Sequence, residues 1–203
     1  VALATGLYRT VLPIEEQLVE TRSNDGGVAP DGSFWFGTML REPANKGGAI
    51  YRITPELSVE YIDGPVGIPN TFLFPGDGRY ALIGDTFDRC IYRYAVDTPE
   101  PYRVGTWLEK GDASIGNPDG SALVDDVAVV NAEWDGGRLV AYDLDGREYD
   151  SLTLPVSRPT SCALGGADGR TLFVTSAREG LSEDALACEP DAGSVFSIRL
   201  GSG

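Results

Sequence analysis

Histidine is absent from all 203 residues, and this absence excludes more than any motif in the chain supplies. A Ser-His-Asp hydrolase, a Cys-His protease, a His-ligated zinc or haem site and an imidazole base all require it. Basic residues are scarce too: 16 Lys and Arg against 31 Asp and Glu give a formal net charge of −15. Nucleic acids and anionic membranes are bound through clustered Lys and Arg, so neither is expected as a partner. The acid excess suits solubility, cation binding or simply an acidic surface. Cys90, Cys162 and Cys188 are an odd number at wide spacing with no CxxC pair, which points to a reducing compartment. No apolar run approaches the roughly 18 residues of a membrane span. The opening VALATGLYRT has neither the basic start nor the apolar stretch of a signal peptide. A cytoplasmic location is expected. Chemistry is left to carboxylates, amides, hydroxyls, Arg, Lys, thiols or an oxygen-bound metal.

What is present is glycine and proline, 26 and 13 of them, spread along a chain that is 42% hydrophobic. That composition supports a core of useful size and argues against long helices. Three elements recur. The first is a turn followed by a short apolar strand: DGSFWFGTM (31–39), DGRYALIGDT (77–86), DDVAVVNAEW (125–134) and DGRTLFVTSA (168–177). Their leading residues Asp31, Asp77, Asp125 and Asp168 lie 46, 48 and 43 positions apart. The second follows each of these as an aromatic or β-branched strand: GGAIYRI (47–53), DRCIYRY (88–94), GGRLVAYD (136–143) and AGSVFSIR (192–199). The third opens each unit and is polar: RSNDGG (22–27), IPNTF (68–72), NPDGS (117–121) and RPTSC (158–162). Several short strands within about 40 to 50 residues form the unit of a four-stranded propeller blade.

In a propeller the innermost strand of each blade starts at the central channel, so Asn24, Asn70, Asp119 and Thr160 would converge as an oxygen-rich cluster. Asn, Asp and Gly are also what β-turns demand. Turn roles are the reading for Asp31, Asp77, Asp145 and Asp168. Asn24, Asn70 and Asp119 are read differently, because they precede a strand and have Arg22, Pro69 and Pro118 as neighbours. Trp35, Trp107 and Trp134, with Phe34, Phe36 and Phe196, read as inter-blade core. Cys162, with no base beside it, reads as a small core residue. AREGLSEDALACEP (177–190) reads as a loop insertion with a short turn of helix.

At these motifs the chain resembles the SMP-30/gluconolactonase/luciferin-regenerating-enzyme-like family of sugar lactonases. RSNDGGVAPDGSFWFGTM is similar to the family's Arg-Phe-Asn-Asp-Gly segment with its Gly-Thr-Met strand. GIPNTFLFPGDGRYALIGDTFDRCIYRY is similar to the Asn-Gly segment, NPDGSALVDDVAVVNAEWDGGRLVAYDLDG to the Pro-Asp-Gly segment, and LPVSRPTSCALGGADGRTLFVTSAREGLS to the last long segment. The resemblance implies an all-β, six-bladed propeller with one divalent cation in its channel, Ca, Zn, Mg, Mn or Fe(II). It implies that Asn70 and Asp119 are metal ligands, Asp119 also the general base, and that Arg22, Asn24 and Glu42 contact substrate. The implied third ligand is a Glu expected upstream of Val1. Two departures follow. Thr71 stands where the family's Asn is usually followed by Gly, which would narrow the channel mouth. At roughly 45 residues per blade the chain amounts to about four and a half blades of a single propeller domain over 1–203, incomplete at the N-terminus.

The implied function is a metal-dependent hydrolase that opens a sugar lactone, of aldonolactone or gluconolactone type, to the hydroxy acid. The expected partner is that small-molecule lactone, with the protein a monomer or small homo-oligomer in carbohydrate metabolism. An organophosphate or aryl-ester hydrolase of the same fold and a non-catalytic propeller binding module are the alternatives.

Overall fold

The computed structural model describes residues 6, 8–111 and 115–201. Residues 1–5 and 7, which belong to the opening segment read above for targeting features, lie outside the described residues.

Among the described residues fifteen strands fall into four antiparallel sheets in chain order. Blade 1 is β1 (Thr21–Val28), β2 (Phe34–Leu40), β3 (Gly48–Ile53) and β4 (Val59–Val66). Blade 2 is β5 (Pro69–Leu73), β6 (Tyr80–Asp85), β7 (Cys90–Ala95) and β8 (Tyr102–Glu109). Blade 3 is β9 (Asn117–Val124), β10 (Ala128–Trp134), β11 (Arg138–Asp143) and β12 (Glu148–Thr153). Blade 4 has three strands, β13 (Pro159–Gly165), β14 (Thr171–Ser176) and β15 (Val195–Arg199). Each sheet is a simple meander, strand paired to next strand.

The turns that build these hairpins use the expected chemistry. Asp31 Oδ1 accepts the Ser33 N–H at 2.9 Å, and Asp77 and Asp168 accept those of Arg79 and Arg170 at 3.2 and 3.1 Å. Each carboxylate thus closes its own Asx turn. Gly32 follows Asp31 at φ 83°, a backbone angle that a side chain would strain. The insertion between β14 and β15 contains the helix α1 (Glu183–Cys188), capped by the Ser182 hydroxyl on Ala185 N. Among the described residues no helix is long and apolar enough to cross a membrane.

Three apolar seams join the four blades. Trp35, Ile50, Phe72, Ile83 and Tyr94 fill the first, Leu82, Ile91, Trp107, Val129 and Tyr142 the second, and Leu139, Leu154, Cys162, Leu172 and Val174 the third. The second seam also buries an ion network. Lys110 pairs with the fully buried Glu133, which receives Arg138 Nε at 2.7 Å. The aromatic expectation holds for Trp35 and Trp107, whereas Phe34 is 41% exposed and stacks on Phe36.

The described residues therefore hold three full blades and one of three strands. This is less than the four and a half that length alone suggested, because residues 8–20 carry no strand. Leu82 is fully buried between blades 2 and 3, so Leu82→Ala is expected to cost about 2 to 5 kcal/mol in chemical unfolding. Val104→Thr, at a side chain 57% exposed on β8, is expected to stay within about 0.5 kcal/mol.

Candidate functional site

The first strands of the blades, β1, β5, β9 and β13, pack side by side in that order. Each of them is bulged at the same place. Register slips between Ser23 and Gly26 in β1, between Asn70 and Phe72 in β5, between Pro118 and Ser121 in β9, and between Pro159 and Ser161 in β13. A bulge adds an unpaired residue and re-aims its side chain. The polar residues read from the sequence as preceding a strand in fact lie inside one, at these bulges. The reason is that the inner strand begins earlier than its apolar run does.

Three of the four positions are tied together. Arg22 Nη1 donates to Asn24 Oδ1 at 2.8 Å. Asn24 Nδ2 donates to Asn70 Oδ1 and to the Pro69 carbonyl, both at 2.9 Å. Asn70 Nδ2 donates to Thr86 Oγ1 at 2.7 Å, and Thr86 Oγ1 donates to the Pro118 carbonyl at 2.6 Å, next to Asp119. Buried Asp85 sets the entry to β5, its carboxylate accepting the N–H groups of Gly67, Ile68 and Phe87. Thr160 departs from the expected cluster, because its hydroxyl bonds Thr175 within its own blade at 2.7 Å. Glu42 is exposed in the turn after β2, whose last residue Leu40 pairs with Thr21. It is therefore at the same end of blade 1 as Arg22.

Thr71 does not narrow the channel mouth. It is buried at φ 54°, and its hydroxyl turns into the seam, 2.5 Å from the Asp119 carbonyl and 2.8 Å from Ser121 Oγ. A β-branched residue in the left-handed region is strained, and these two hydrogen bonds offset the strain. Asn131 Nδ2 holds the same Asp119 carbonyl from within blade 3 at 3.0 Å. At the next position, a Cβ on Gly120 would meet Ser161 Oγ at 2.2 Å, so only glycine lets blade 4 approach.

Sequence reasoning missed Asp25, the second bulge residue of β1. It accepts the N–H groups of Gly26 and Thr71, and burial nevertheless raises its pKa above the usual carboxylate range. Its charge faces Asp119. Burial first, and then Asp25, push Asp119 up to about 8, with only the Gly120 N–H opposing. Among the described residues no basic side chain offsets the pair. Two carboxylates and an amide oxygen, with no thiol among them, are a donor set for a hard divalent cation. Among the described residues no three carboxylates or thiols cluster as a complete metal site. Cys162 is buried, its thiol raised to about 12 by burial, and its Sγ contacts the Val130 carbonyl. It is a core residue, as its sequence setting indicates.

A sequence profile described as the SMP-30/Gluconolactonase/LRE-like region matches residues 1–178. The chain is 35% identical to a 6-deoxy-6-sulfogluconolactonase of Pseudomonas putida, across 98% of this chain and 72% of that protein. It is 38% identical to an L-arabinolactonase of Azospirillum brasilense, across 96% of this chain and 65% of that protein. A crystal structure of a calcium-binding protein, regucalcin, from Agrobacterium tumefaciens superposes with a TM-score of 0.83 at 32% identity, covering 91% of this chain and 63% of that one. The chain thus spans between 63 and 72% of the length of these relatives.

The raised Asp119 pKa has a thermodynamic consequence in metal-free protein. The folded chain keeps the Asp119 proton up to about pH 8, whereas the unfolded chain releases it near 3.8. Between those values the folded state binds more protons, so the stability from this group is full below about pH 3.8 and is lost as pH rises through 8. Thermal midpoints in chelator are expected to fall from pH 5 to pH 8, and Asp119→Asn to flatten part of that fall. Parallel profiles for the two proteins would refute the raised value.

Proposed function

The chain belongs to the SMP-30/gluconolactonase/LRE-like family, and from that membership we propose that it hydrolyses a sugar lactone of aldonolactone or gluconolactone type to the open hydroxy acid. The observation that carries the reading is the convergence of Asp119, Asn70 and Asn24 at the bulges of three adjacent inner strands, with Arg22 bonded to Asn24. Relatives named as sugar lactonases support the substrate class.

In this reading Asn70 and Asp119 hold one divalent cation, Ca, Zn, Mg, Mn or Fe(II). Such a cation would supply Lewis-acid chemistry, polarising the ester carbonyl and countering the negative charge that develops on attack. Its charge also answers the electrostatic problem posed by Asp25 and Asp119, whose mutual repulsion disfavours ionisation of both. Asp119, ionised beside it, takes the proton of the attacking water. That proton is delivered to the ring oxygen as the carbonyl carbon–oxygen bond breaks, so water is added and nothing is oxidised. Arg22 spends Nη1 on Asn24 and the Ser23 carbonyl. Its other N–H groups are left for substrate oxygens. Asn24 keeps Asn70 oriented, and Glu42, exposed at the same end of blade 1, accepts from sugar hydroxyls.

Acid release from a panel of aldonolactones, with and without chelator, tests the reading. Activity is expected to vanish in chelator and return with a divalent ion. Asp119→Ala is expected to lower turnover by at least a hundredfold and abolish cation retention, and Arg22→Ala to lower kcat/KM by about tenfold or more. Unchanged turnover in Asp119→Ala would remove Asp119 from the mechanism. Activity confined to aryl esters or organophosphates, or none with ligand binding intact, would favour a different function for the fold.

A further inference from the structure

We propose that Thr86 is a positioning residue whose hydroxyl fixes which end of the Asn70 amide is presented as oxygen to the site, an inference that rests on the reading of Asn70 as a cation ligand. An amide has two nearly isosteric ends, an acceptor oxygen and a donor NH2, and only the oxygen can ligate a cation. Something must therefore choose between the two orientations.

The hydrogen bonds around Asn70 make that choice, because both ends of the chain they form have fixed polarity. Arg22 at one end can only donate, so Asn24 receives it with Oδ1 and turns Nδ2 towards Asn70. At the other end the Pro118 carbonyl can only accept. Thr86 has one hydroxyl hydrogen and gives it to that carbonyl at 2.6 Å. What Thr86 offers Asn70 is then a lone pair, and only the NH2 end can meet it, at 2.7 Å. The Asn70 oxygen points the other way, where one of its two lone pairs accepts Asn24 Nδ2 at 2.9 Å and the other remains for a cation. Thr86 itself is anchored by its backbone, its N–H donating to the Ile68 carbonyl at 2.9 Å. Asn70 is buried, so water does not readily replace a lost partner.

The same geometry separates this role from simple support of β9. Thr71 Oγ1 holds the next carbonyl, that of Asp119, and Asn131 Nδ2 holds it as well. Removing the Thr86 hydroxyl takes away the acceptor of the Asn70 NH2 and leaves Asn24 alone to hold the amide, while the strand carrying Asp119 stays tied to blade 2 through Thr71.

Isothermal titration calorimetry with manganese(II) and with calcium, on the wild-type protein and on T86V and T86S, tests the inference. T86V, isosteric but without the hydroxyl, is expected to weaken the tighter-bound ion about ten- to a hundredfold. T86S keeps the hydroxyl and is expected to stay within about threefold. An Asn70→Asp background supplies the second test, because a carboxylate presents oxygen in either orientation. There T86V is expected to cost less than about threefold, so the two substitutions are non-additive. This arm also reads out if T86V alone folds poorly. Wild-type affinity in T86V, equal losses in T86V and T86S, or full additivity with Asn70→Asp would each overturn the role of Thr86. A wild-type protein that binds neither ion would instead overturn the ligand reading of Asn70, and this inference with it.

Discussion

A β-strand paired along its whole length turns its side chains alternately to the two faces of its sheet. In a propeller both faces are seams, so a regular inner strand would send nothing towards the axis. The single extra residue at each inner-strand bulge breaks that alternation, and the arrangement of the site follows from it. It puts Asn24 and Asp25, Asn70 and Thr71, and Asp119 and Gly120 where neighbouring blades meet. The same irregularity accounts for the positive φ of Thr71 and for the close approach at Gly120. The cost of the bulges is carried by side chains. Thr71, Thr86 and Asn131 donate to backbone carbonyls of β9 that the interrupted ladder leaves open.

The seams give the bulges a fixed frame. Trp35 and Trp107 are rigid fillers of the first two. The buried Lys110–Glu133–Arg138 group locks the second seam with charge that is matched inside the protein. The axial carboxylates contrast with this. Glu133 is buried with two cations in attendance, whereas Asp25 and Asp119 face each other with none. One acid cluster is finished internally and the other is not, and only the second has the electrostatics of a place where something else binds.

Much of this was legible in the sequence. The recurring turn-and-strand elements became the second and third strands of every blade; in blades 1 to 3 those strands are largely buried and correspondingly apolar, whereas in blade 4 β14 buries one face and β15 none fully. The outer strands β4, β8 and β12 carried no such signal: EYDSLT is exposed throughout and pairs through its backbone and the Glu148–Arg138 ion pair. Asn24, Asn70 and Asp119 could be picked out by their recurrence. Asp25 could not, since its counterparts in the other blades are Thr71, Gly120 and Ser161, and no residue type repeats. The direction of the Thr71 hydroxyl depends on a left-handed backbone that composition does not announce for threonine. Thr160 recurs in position, but its partner Thr175 satisfies it locally.

The meander order of the sheets also bears on how the molecule comes into being. Each blade closes on itself within about 45 residues, and each seam joins a blade only to the one made just before it. Assembly can therefore keep pace with synthesis, the N-terminal blades docking while the rest is still being translated. The axial cluster draws on blades 1, 2 and 3, so it is incomplete until β9 has emerged and paired. The repulsion between Asp25 and Asp119 arises only at that late stage, after the first seam has had time to set. The nascent chain thus assembles its scaffold before it meets its most unfavourable contact.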